Sequence, residues 1–285
     1  MVRFDESPLE RAVREQSESR ERALEGNESL RRSRGIVHTP APLARFMCRH
    51  VDELLKTRLG LRHGLADPRL TIVDPGCGTG AFFSAALDLI ATRASRPRGL
   101  IGLDIDGDAL NAADEALGRV AFGLGVPLIF DARNTLESLE LPAPPGNERG
   151  RDMDVVCVIG NPPWSGKSAN RGLAINEELL EDFKKLSGGA PLDERKIGVL
   201  SDDYVRFLRW SAEIVRRAEG GGVLGLVTNG SFFDGPVHRG LRAALLRWFS
   251  ELDLVDLGGS ALLSRGVQRD ENVFGVRPKV ACTFG

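Results

Sequence analysis

The chain has 285 residues, of which 42% are hydrophobic and 27% are charged, which is enough for one large α/β domain or two modest ones. This composition excludes a disordered chain and a small domain held together by disulfides. The formal net charge is −2, from 38 basic and 40 acidic residues, so the surface as a whole is not expected to attract nucleic acid. A local basic cleft is compatible with this balance.

Neither a membrane segment nor a metal site is predicted. No stretch reaches the ~18 uncharged apolar residues that a transmembrane helix needs, and the first residues lack the apolar core of a signal peptide. We therefore expect a cytoplasmic protein without membrane contact. The cysteines lie far apart and form no CxxC pair, so neither a zinc site nor a disulfide framework is expected; they are Cys48, Cys77, Cys157 and Cys282.

The first 35 residues differ in composition from the rest of the chain. They are rich in Arg, Glu and Ser, their basic and acidic residues nearly balance, and few large apolar residues follow Leu9. This pattern favours a solvated or frayed helix over an arm that binds a partner. We therefore divide the chain into a charged N-terminal extension, residues 1–35, and one main domain, residues 36–285.

Helices and strands alternate along the main domain. Helices are predicted over Pro42–Leu59, Ala81–Ala94, Asp108–Gly118, Glu177–Leu186, Asp203–Ala218 and Val237–Phe249. Strands are predicted over Leu70–Asp74, Leu100–Asp104, Val126–Phe130, Val155–Ile159, Val223–Thr228 and Leu252–Leu257, with one or two more in Val273–Phe284. Such alternation predicts an α/β fold, a mostly parallel sheet with helices on both faces, whose ligands bind at the carboxyl ends of the strands.

A glycine-rich turn, Asp74-Pro75-Gly76-Cys77-Gly78-Thr79-Gly80, follows the first predicted strand and precedes a helix. Its glycines allow a ligand to approach the backbone, and the helix N-terminus favours electron-rich ligand atoms. A dinucleotide site or a purely structural turn would have the same sequence. Asp104, at the end of the next strand, is placed to accept ribose hydroxyls, while Asp106 or Asp108 is expected to cap the following helix. Together the two elements indicate a nucleoside pocket.

Asn161-Pro162-Pro163-Trp164 follows the apolar strand VVCVIG. Because prolines fix the backbone and lack N–H donors, carbonyl oxygens line this turn beside the side-chain amide of Asn161. These acceptors suit a planar exocyclic amino group, and the following aromatic ring can stack on a base. A stiff turn with a buried Trp is the alternative. Asp131, after the third strand, could accept from an adenine amino group, although alone it is an ordinary loop acid.

Taken in order, DPGCGTG, GLDID, Asp131 and NPPW resemble the motifs of S-adenosylmethionine-dependent amino-methyltransferases, specifically the DNA adenine methyltransferases. The segment GIVHTP, residues 35–40, resembles the GxxxTP segment that the gamma class places before its glycine-rich loop. The later stretches LSDDYVRFLRWSAEIV, GGVLGLVTNGSFFDGP and RDENVFGVRPKVA resemble type ISP and type IIG restriction-modification polypeptides. The resemblance covers about residues 35–285 and implies a Rossmann-like S-adenosylmethionine-dependent methyltransferase fold.

The resemblance also implies roles for the matching residues. Thr39 and Pro40 would border the methionine part of the cofactor, Asp104 would hold its ribose and Asp131 its adenine. The cofactor-binding residues implied are Thr39, Pro40, Asp74, Gly76, Cys77, Gly78, Gly80, Asp104, Ile105, Asp131 and Ala132. The catalytic residues implied are Asn161, Pro162, Pro163, Trp164 and Phe274, of which Trp164 and Phe274 would stack on the target base. A plain core position is the alternative for Phe274.

The function implied is transfer of a methyl group from S-adenosylmethionine to the amino group of adenine in DNA, as part of restriction-modification or genome defence. The alternatives are a protein glutamine or RNA adenine methyltransferase, or a truncated cofactor-binding subunit without activity of its own. Gamma-class enzymes usually carry a DNA-recognition domain after the aromatic that Phe274 matches, and the chain ends at residue 285. We therefore expect a separate recognition or restriction subunit as partner, and weak DNA binding by the chain alone.

Overall fold

The computed structural model contains a seven-stranded sheet with the strand order β3-β2-β1-β4-β5-β7-β6. It describes residues 5–23, 38–144, 154–163, 170, 173–259, 274 and 279–285. The strands are β1 (Leu70–Asp74), β2 (Gly99–Asp104), β3 (Leu128–Ala132), β4 (Val155–Gly160), β5 (Gly222–Asn229), β6 (Asp253–Asp256) and β7 (Val280–Phe284). Strands β1 to β5 pair in parallel, whereas β7 is antiparallel to both β5 and β6.

Helices cover both faces of this sheet, as the alternation predicted. They are α1 (Pro8–Ala23), α2 (Ala41–Thr57), α3 (Ala81–Ala91), α4 (Gly107–Leu124), α5 (Ala174–Leu180), α6 (Asp203–Arg217) and α7 (Arg239–Trp248). Single 3-10 turns lie at Gly64–Ala66, Thr135–Glu137, Glu181–Lys184, Ile197–Ser201, Gly230–Phe232 and Pro236–His238. No helix in the described part of the chain is long and apolar enough to cross a membrane.

Two apolar cores lie on opposite faces of the sheet, and strand β4 contributes to both. Val155, Cys157 and Ile159 pack into the core under α2, α3 and α4, whereas Val156 and Val158 pack into the core under α6 and α7. A strand that is buried on both faces needs apolar residues at every position, which explains the continuous apolar sequence VVCVIG. All four cysteines are buried in this interior.

Two arginines of α6 bind the segment that precedes this helix, residues 177–201, and hold it against the sheet. The Arg206 side chain is fully buried, where it donates to the Ser201 carbonyl (3.1 Å) and to Glu177 on α5 (2.9 Å). Arg209 donates to the Leu179 carbonyl (3.0 Å) and to Asp182 (2.8 Å). Each guanidinium thus has at least two acceptors, which offsets the cost of its burial, although Nη1 of Arg206 has no partner among the described residues.

The N-terminal helix differs from the solvated or frayed helix that its charge pattern predicted. Ser7 and Glu10 form a reciprocal capping box, since the Glu10 N–H donates to Ser7 Oγ (3.1 Å) and the Ser7 N–H donates to Glu10 Oε2 (2.8 Å). Val13 joins the first core, Glu10 is buried beside Arg45 of α2, and Ser17 is buried beside Thr79. A count of charges could not predict this helix, because its buried polar side chains are stabilised by specific partners that lie far away in the sequence.

Two further element bounds correct the sequence-based prediction. Strand β3 begins two residues later than predicted and ends at Ala132. Val126 lies just after the C-cap of α4, where its N–H donates to the Ala121 carbonyl, and Pro127 has no N–H. The predicted helix over 177–186 instead begins at residue 174, and it continues after residue 180 only as a 3-10 turn. Asp106 caps α4, as expected, by accepting from the Ala109 N–H at 3.3 Å.

Candidate active site

The predicted site residues of β1, β2, β3 and β4 lie at the carboxyl ends of these neighbouring strands. The register of β2 and β3 places Asp104 beside Ala132, and β1 runs beside β4, which ends at Gly160. A Cβ atom added at Gly76 would lie 3.7 Å from Pro162 Cα, so the glycine-rich turn and the Asn161-Pro162-Pro163 turn adjoin. The structure therefore brings the predicted cofactor loop and the predicted amine-binding turn together.

Glycine is required at two positions of the glycine-rich turn. Gly78 and Gly80 have φ values of +52° and +87°, in the left-handed region that side chains disfavour. A Cβ on Gly80 would lie 2.6 Å from Leu117 Cδ1 of α4, so this glycine permits helix packing. A Cβ on Gly78 would meet no atom within 4 Å among the described residues, so Gly78 faces open space that a ligand can approach.

Asp104 connects the glycine-rich turn to the turn after β2. Its Oδ2 accepts from the Gly78 N–H (2.8 Å) and its Oδ1 accepts from the Asp106 N–H (2.9 Å). Burial raises the pKa of Asp104, while these two donors oppose the shift. Each oxygen keeps a further lone pair, so the carboxylate can still accept from ribose hydroxyls. Ile105 beside it is 69% exposed and offers an apolar surface to a flat ring.

Asp74 holds an unpaired oxygen inside the site. Its Oδ1 accepts from the Gly76 N–H (3.1 Å), whereas its buried Oδ2 has no hydrogen-bond partner among the described residues. Burial raises the pKa of Asp74 to about 8, and the nearby charge of Asp104 adds to this effect. A buried carboxylate without a counter-ion is costly, so this pocket favours a cationic ligand.

Asp131 forms an ion pair with Arg133 that the sequence analysis did not predict. Its Oδ2 lies 3.3 Å from Nε of Arg133, and its side chain is 36% exposed. It is the penultimate residue of β3 rather than a loop residue. A hydrogen bond from an adenine amino group to its other oxygen remains a prediction.

Asn161 is paired with Thr39, which lies 122 residues away in sequence. The Asn161 Nδ2 amide donates to the Thr39 hydroxyl oxygen at 3.1 Å, and Thr39 is only 7% exposed. This bond uses the N–H side of the amide and leaves Oδ1 as an acceptor next to Pro162. Thr39 was implied to border the cofactor, and its contact with Asn161 carried no local sequence signal.

The two predicted stacking aromatics have different outcomes. Trp164 lies outside the described residues. Phe274 is half-buried in a turn, where it packs against the first apolar core. Its stacking on a target base remains a prediction. Thr135, which sequence analysis did not single out, is buried and donates to the Pro75 carbonyl at 2.7 Å, so it fixes the entry to the glycine-rich turn.

The sheet order and the glycine-rich turn after β1 define the class of fold: it is a Rossmann-like S-adenosylmethionine-dependent methyltransferase fold, as the motifs predicted. No protein-family model matches the chain. The chain is 30% identical over 169 residues to the type II methyltransferase M.MamI of Microbacterium ammoniaphilum. This match covers 56% of the chain and 42% of that relative, so the chain spans less than half of it.

Solved structures show the same fold. The ATP-dependent type ISP restriction-modification enzyme LlaBIII bound to DNA superimposes with a TM-score of 0.68 at 23% identity, over 87% of this chain and 19% of that one. The methyltransferase subunit of a type I restriction-modification system from Streptococcus thermophilus gives a TM-score of 0.52 at 18% identity, over 87% of this chain and 44% of that subunit. The predicted resemblance to restriction-modification methyltransferases is confirmed.

Proposed function

We propose that this chain transfers the methyl group of S-adenosylmethionine to the N6 amino group of adenine in DNA, in the cytoplasm and as part of a restriction-modification system. The observation that carries the proposal is the Asn161 amide, which is oriented by Thr39 and adjoins the glycine-rich turn through Pro162. The M.MamI relative, named as a type II methyltransferase, and the DNA in the LlaBIII structure support the reaction and the substrate class.

The residues at the ends of β1 and β2 fit an adenosyl sulfonium cofactor. The unpaired Oδ2 of Asp74 suits the cationic methionine part of the cofactor. The open space beside Gly78 allows the cofactor to approach the backbone of the glycine-rich turn. Asp104 offers acceptors to a ribose, and exposed Ile105 offers an apolar contact to an adenine ring. When bound there, S-adenosylmethionine supplies an electrophilic methyl group that needs no acid to activate it.

The residues at the end of β4 fit an amino group as the methyl acceptor. The lone pair of an aromatic amine is delocalised into its ring, which makes the nitrogen a poor nucleophile. Asn161 Oδ1 and the Pro162 carbonyl can each accept one of its hydrogens, which draws them out of the ring plane and localises the lone pair. Rate enhancement then comes from position and fixed dipoles rather than from a strong base.

The test is to identify the methylated product. The purified chain is incubated with S-adenosylmethionine carrying a labelled methyl group and, in separate reactions, unmethylated plasmid DNA, total RNA and a protein mixture containing release factors. The digested products are separated by mass. We expect N6-methyladenine in DNA, and Asn161→Ala should reduce its formation about 10²- to 10³-fold, as for loss of one pre-organised polar group in other enzymes.

Calorimetry with the cofactor accompanies this assay, because Asn161 faces the target amine and its loss should leave cofactor affinity nearly unchanged. Asn111→Ala, an exposed asparagine on α4, is the matched control and should behave as the wild type. Label found in RNA, glutamine or cytosine instead of DNA adenine would contradict the proposed substrate. Cofactor binding without transfer to any substrate would indicate a cofactor-binding subunit, and absence of cofactor binding would refute the proposal altogether.

A further inference from the structure

Helix α1 contacts two turns of the candidate cofactor site. Ser17 Oγ lies 2.6 Å from Oγ1 of Thr79 in the glycine-rich turn. One helical turn later, Arg20 Nη2 donates to Asp106 Oδ2 at 2.8 Å, in the turn between β2 and α4. These contacts join a segment outside the predicted main domain to both turns that flank the open side of Gly78.

The same helix also binds α2, which begins directly after Thr39 and Pro40. Glu10 and Arg45 form an ion pair, with 2.7 Å between Oε1 and Nε, and the Glu10 side chain is only 1% exposed. Helix α1 therefore contacts the glycine-rich turn and the turn after β2 directly, and it binds the helix that begins after the Thr-Pro segment through Arg45.

The contacts of α1 form a closed ring of hydrogen bonds with the two turns. From Arg20 the ring passes to Asp106, whose N–H donates to Asp104. Asp104 also accepts from the Gly78 N–H, and the next residue, Thr79, returns to Ser17. The ring is closed by one turn of α1 between Ser17 and Arg20 and by the peptide unit between Gly78 and Thr79, and its other links are direct hydrogen bonds. Displacement of α1 is therefore expected to alter the position of Asp104 or of the glycine-rich turn.

The hydroxyl pair in this ring has a defined polarity. Ser17 Oγ donates its one proton to the Val13 carbonyl at 3.0 Å, so Thr79 must be the donor in the Ser17–Thr79 bond. The Thr79 hydroxyl is therefore oriented by α1, and only its lone pairs remain for a ligand at the glycine-rich turn. Loss of the Ser17 hydroxyl would allow the Thr79 hydroxyl to rotate.

We propose that α1 is a positioning element of the cofactor site, and that Ser17 and Arg20 are positioning residues that set the glycine-rich turn and the Asp104 carboxylate for binding an adenosyl sulfonium compound. The proposal rests on the proposed function, because it takes these turns to be the cofactor site. Buried Val13 and Ser17 keep the helix docked on α3 and α4, and the Arg20 guanidinium offsets the negative charge that Asp104 and Asp106 place close together.

The first test is calorimetric titration of the full chain with S-adenosylmethionine and with S-adenosylhomocysteine. Ser17→Ala and Arg20→Met should each raise Kd about 2- to 30-fold, the range for residues that influence a ligand through others. Arg20→Lys, which keeps the charge, should restore most of the affinity. Arg14→Gln is the matched control on α1, since Arg14 binds Glu6 and Glu18 and neither cofactor turn; it should leave Kd unchanged.

The second test uses reciprocity, because a helix that favours cofactor binding must be stabilised by the cofactor to the same extent. Amide hydrogen exchange of residues 8–20 should slow on addition of S-adenosylhomocysteine to the wild type, and slow less in Arg20→Met. A helix that only supports the fold would show no such response.

A double-mutant cycle of Ser17→Ala and Thr79→Val keeps the proposal testable if Arg20→Met fails to fold. We expect the two effects on Kd to be non-additive, since either change removes the same bond. Wild-type Kd values in correctly folded Ser17→Ala and Arg20→Met would overturn the role of α1 and leave the proposed function intact. A wild-type chain that binds neither compound would overturn both.

Discussion

At the ends of β1 and β2 the polar groups of the site are bonded to one another, whereas at the end of β4 one amide and two prolines adjoin, and the described contact of the amide is with Thr39. The first region, which we call the cofactor side after the proposed function, is built from backbone N–H donors and carboxylates. Two of these carboxyl groups, Asp74 and Asp104, have raised pKa values. The second region, the target side, is stiff because proline fixes its backbone.

Under the proposed function, we expect cofactor affinity and transfer rate to depend on separate residues. On the cofactor side, Oδ2 of Asp74 has no hydrogen-bond partner among the described residues and burial raises the pKa of this carboxyl to about 8, so a bound cation would stabilise its charged form. The target side is neutral in its described residues, and its geometry is set by one hydrogen bond and two prolines. Substitutions on one side should therefore change one quantity and leave the other nearly constant.

The largest effect should come from Asp74→Asn on the cofactor side. Its carboxyl has a pKa near 3.8 in the unfolded chain and about 8 in the fold, so its contribution to stability is full below pH 4 and is lost as pH rises towards 8. Asp74→Asn should remove this dependence and raise the free energy of unfolding of the cofactor-free protein at pH 8 by about 2–5 kcal/mol.

Denaturant unfolding at pH 5 and pH 8 would check this, with calorimetry to confirm weaker cofactor binding by the variant. Asp52→Asn is the matched control. That carboxylate is buried but binds Arg93, Lys56 and the Leu65 N–H, which hold its pKa below the usual range despite desolvation. Its loss should lower stability, and a gain in both variants would mean that Asp74 is not the unpaired charge.

A smaller effect is expected for Asp104→Ala. It removes the acceptor for the Gly78 and Asp106 N–H groups and the proposed acceptor for the ribose. Cofactor binding should weaken by about 1–3 kcal/mol, as for hydrogen bonds to a charged acceptor. Asp108→Ala, an exposed acid in the first turn of α4, is the control for net charge. Unchanged affinity in Asp104→Ala by calorimetry would place the ribose elsewhere.

The smallest effect should come from Thr39→Val, which lies at the boundary between the two sides. Loss of the hydroxyl removes the hydrogen bond that orients the Asn161 amide. We expect kcat to fall about 3- to 10-fold, which corresponds to the free energy of one neutral hydrogen bond, and the cofactor Kd to stay unchanged. Thr39→Ser should retain the wild-type rate. If the cofactor Kd rises while kcat stays at the wild-type value, Thr39 belongs to the cofactor side, as the resemblance implies.

Much of the fold was predictable because local patterns dictate it. Strand β1 was predicted to the residue, since Leu70–Asp74 is an apolar run that ends at a glycine-rich turn. The start of β3 was not, because the Val126 N–H bonds to the last turn of α4 and Pro127 has no N–H to donate to a neighbouring strand. The site motifs are local and could be read directly, whereas the Asn161–Thr39 bond and the Ser17–Thr79 bond join residues far apart in sequence and leave no periodic signal.

The buried cysteines have a practical consequence for chemical labelling. Burial raises the pKa of each thiol, to about 12 for Cys282 and well above its usual range for Cys48 and Cys77. Alkylating reagents attack thiolates, so the folded chain resists them at neutral pH. A cysteine introduced on an exposed surface can therefore carry a fluorophore or spin label without first removing the natural thiols. Exposure of those thiols to the same reagents would report opening of the core.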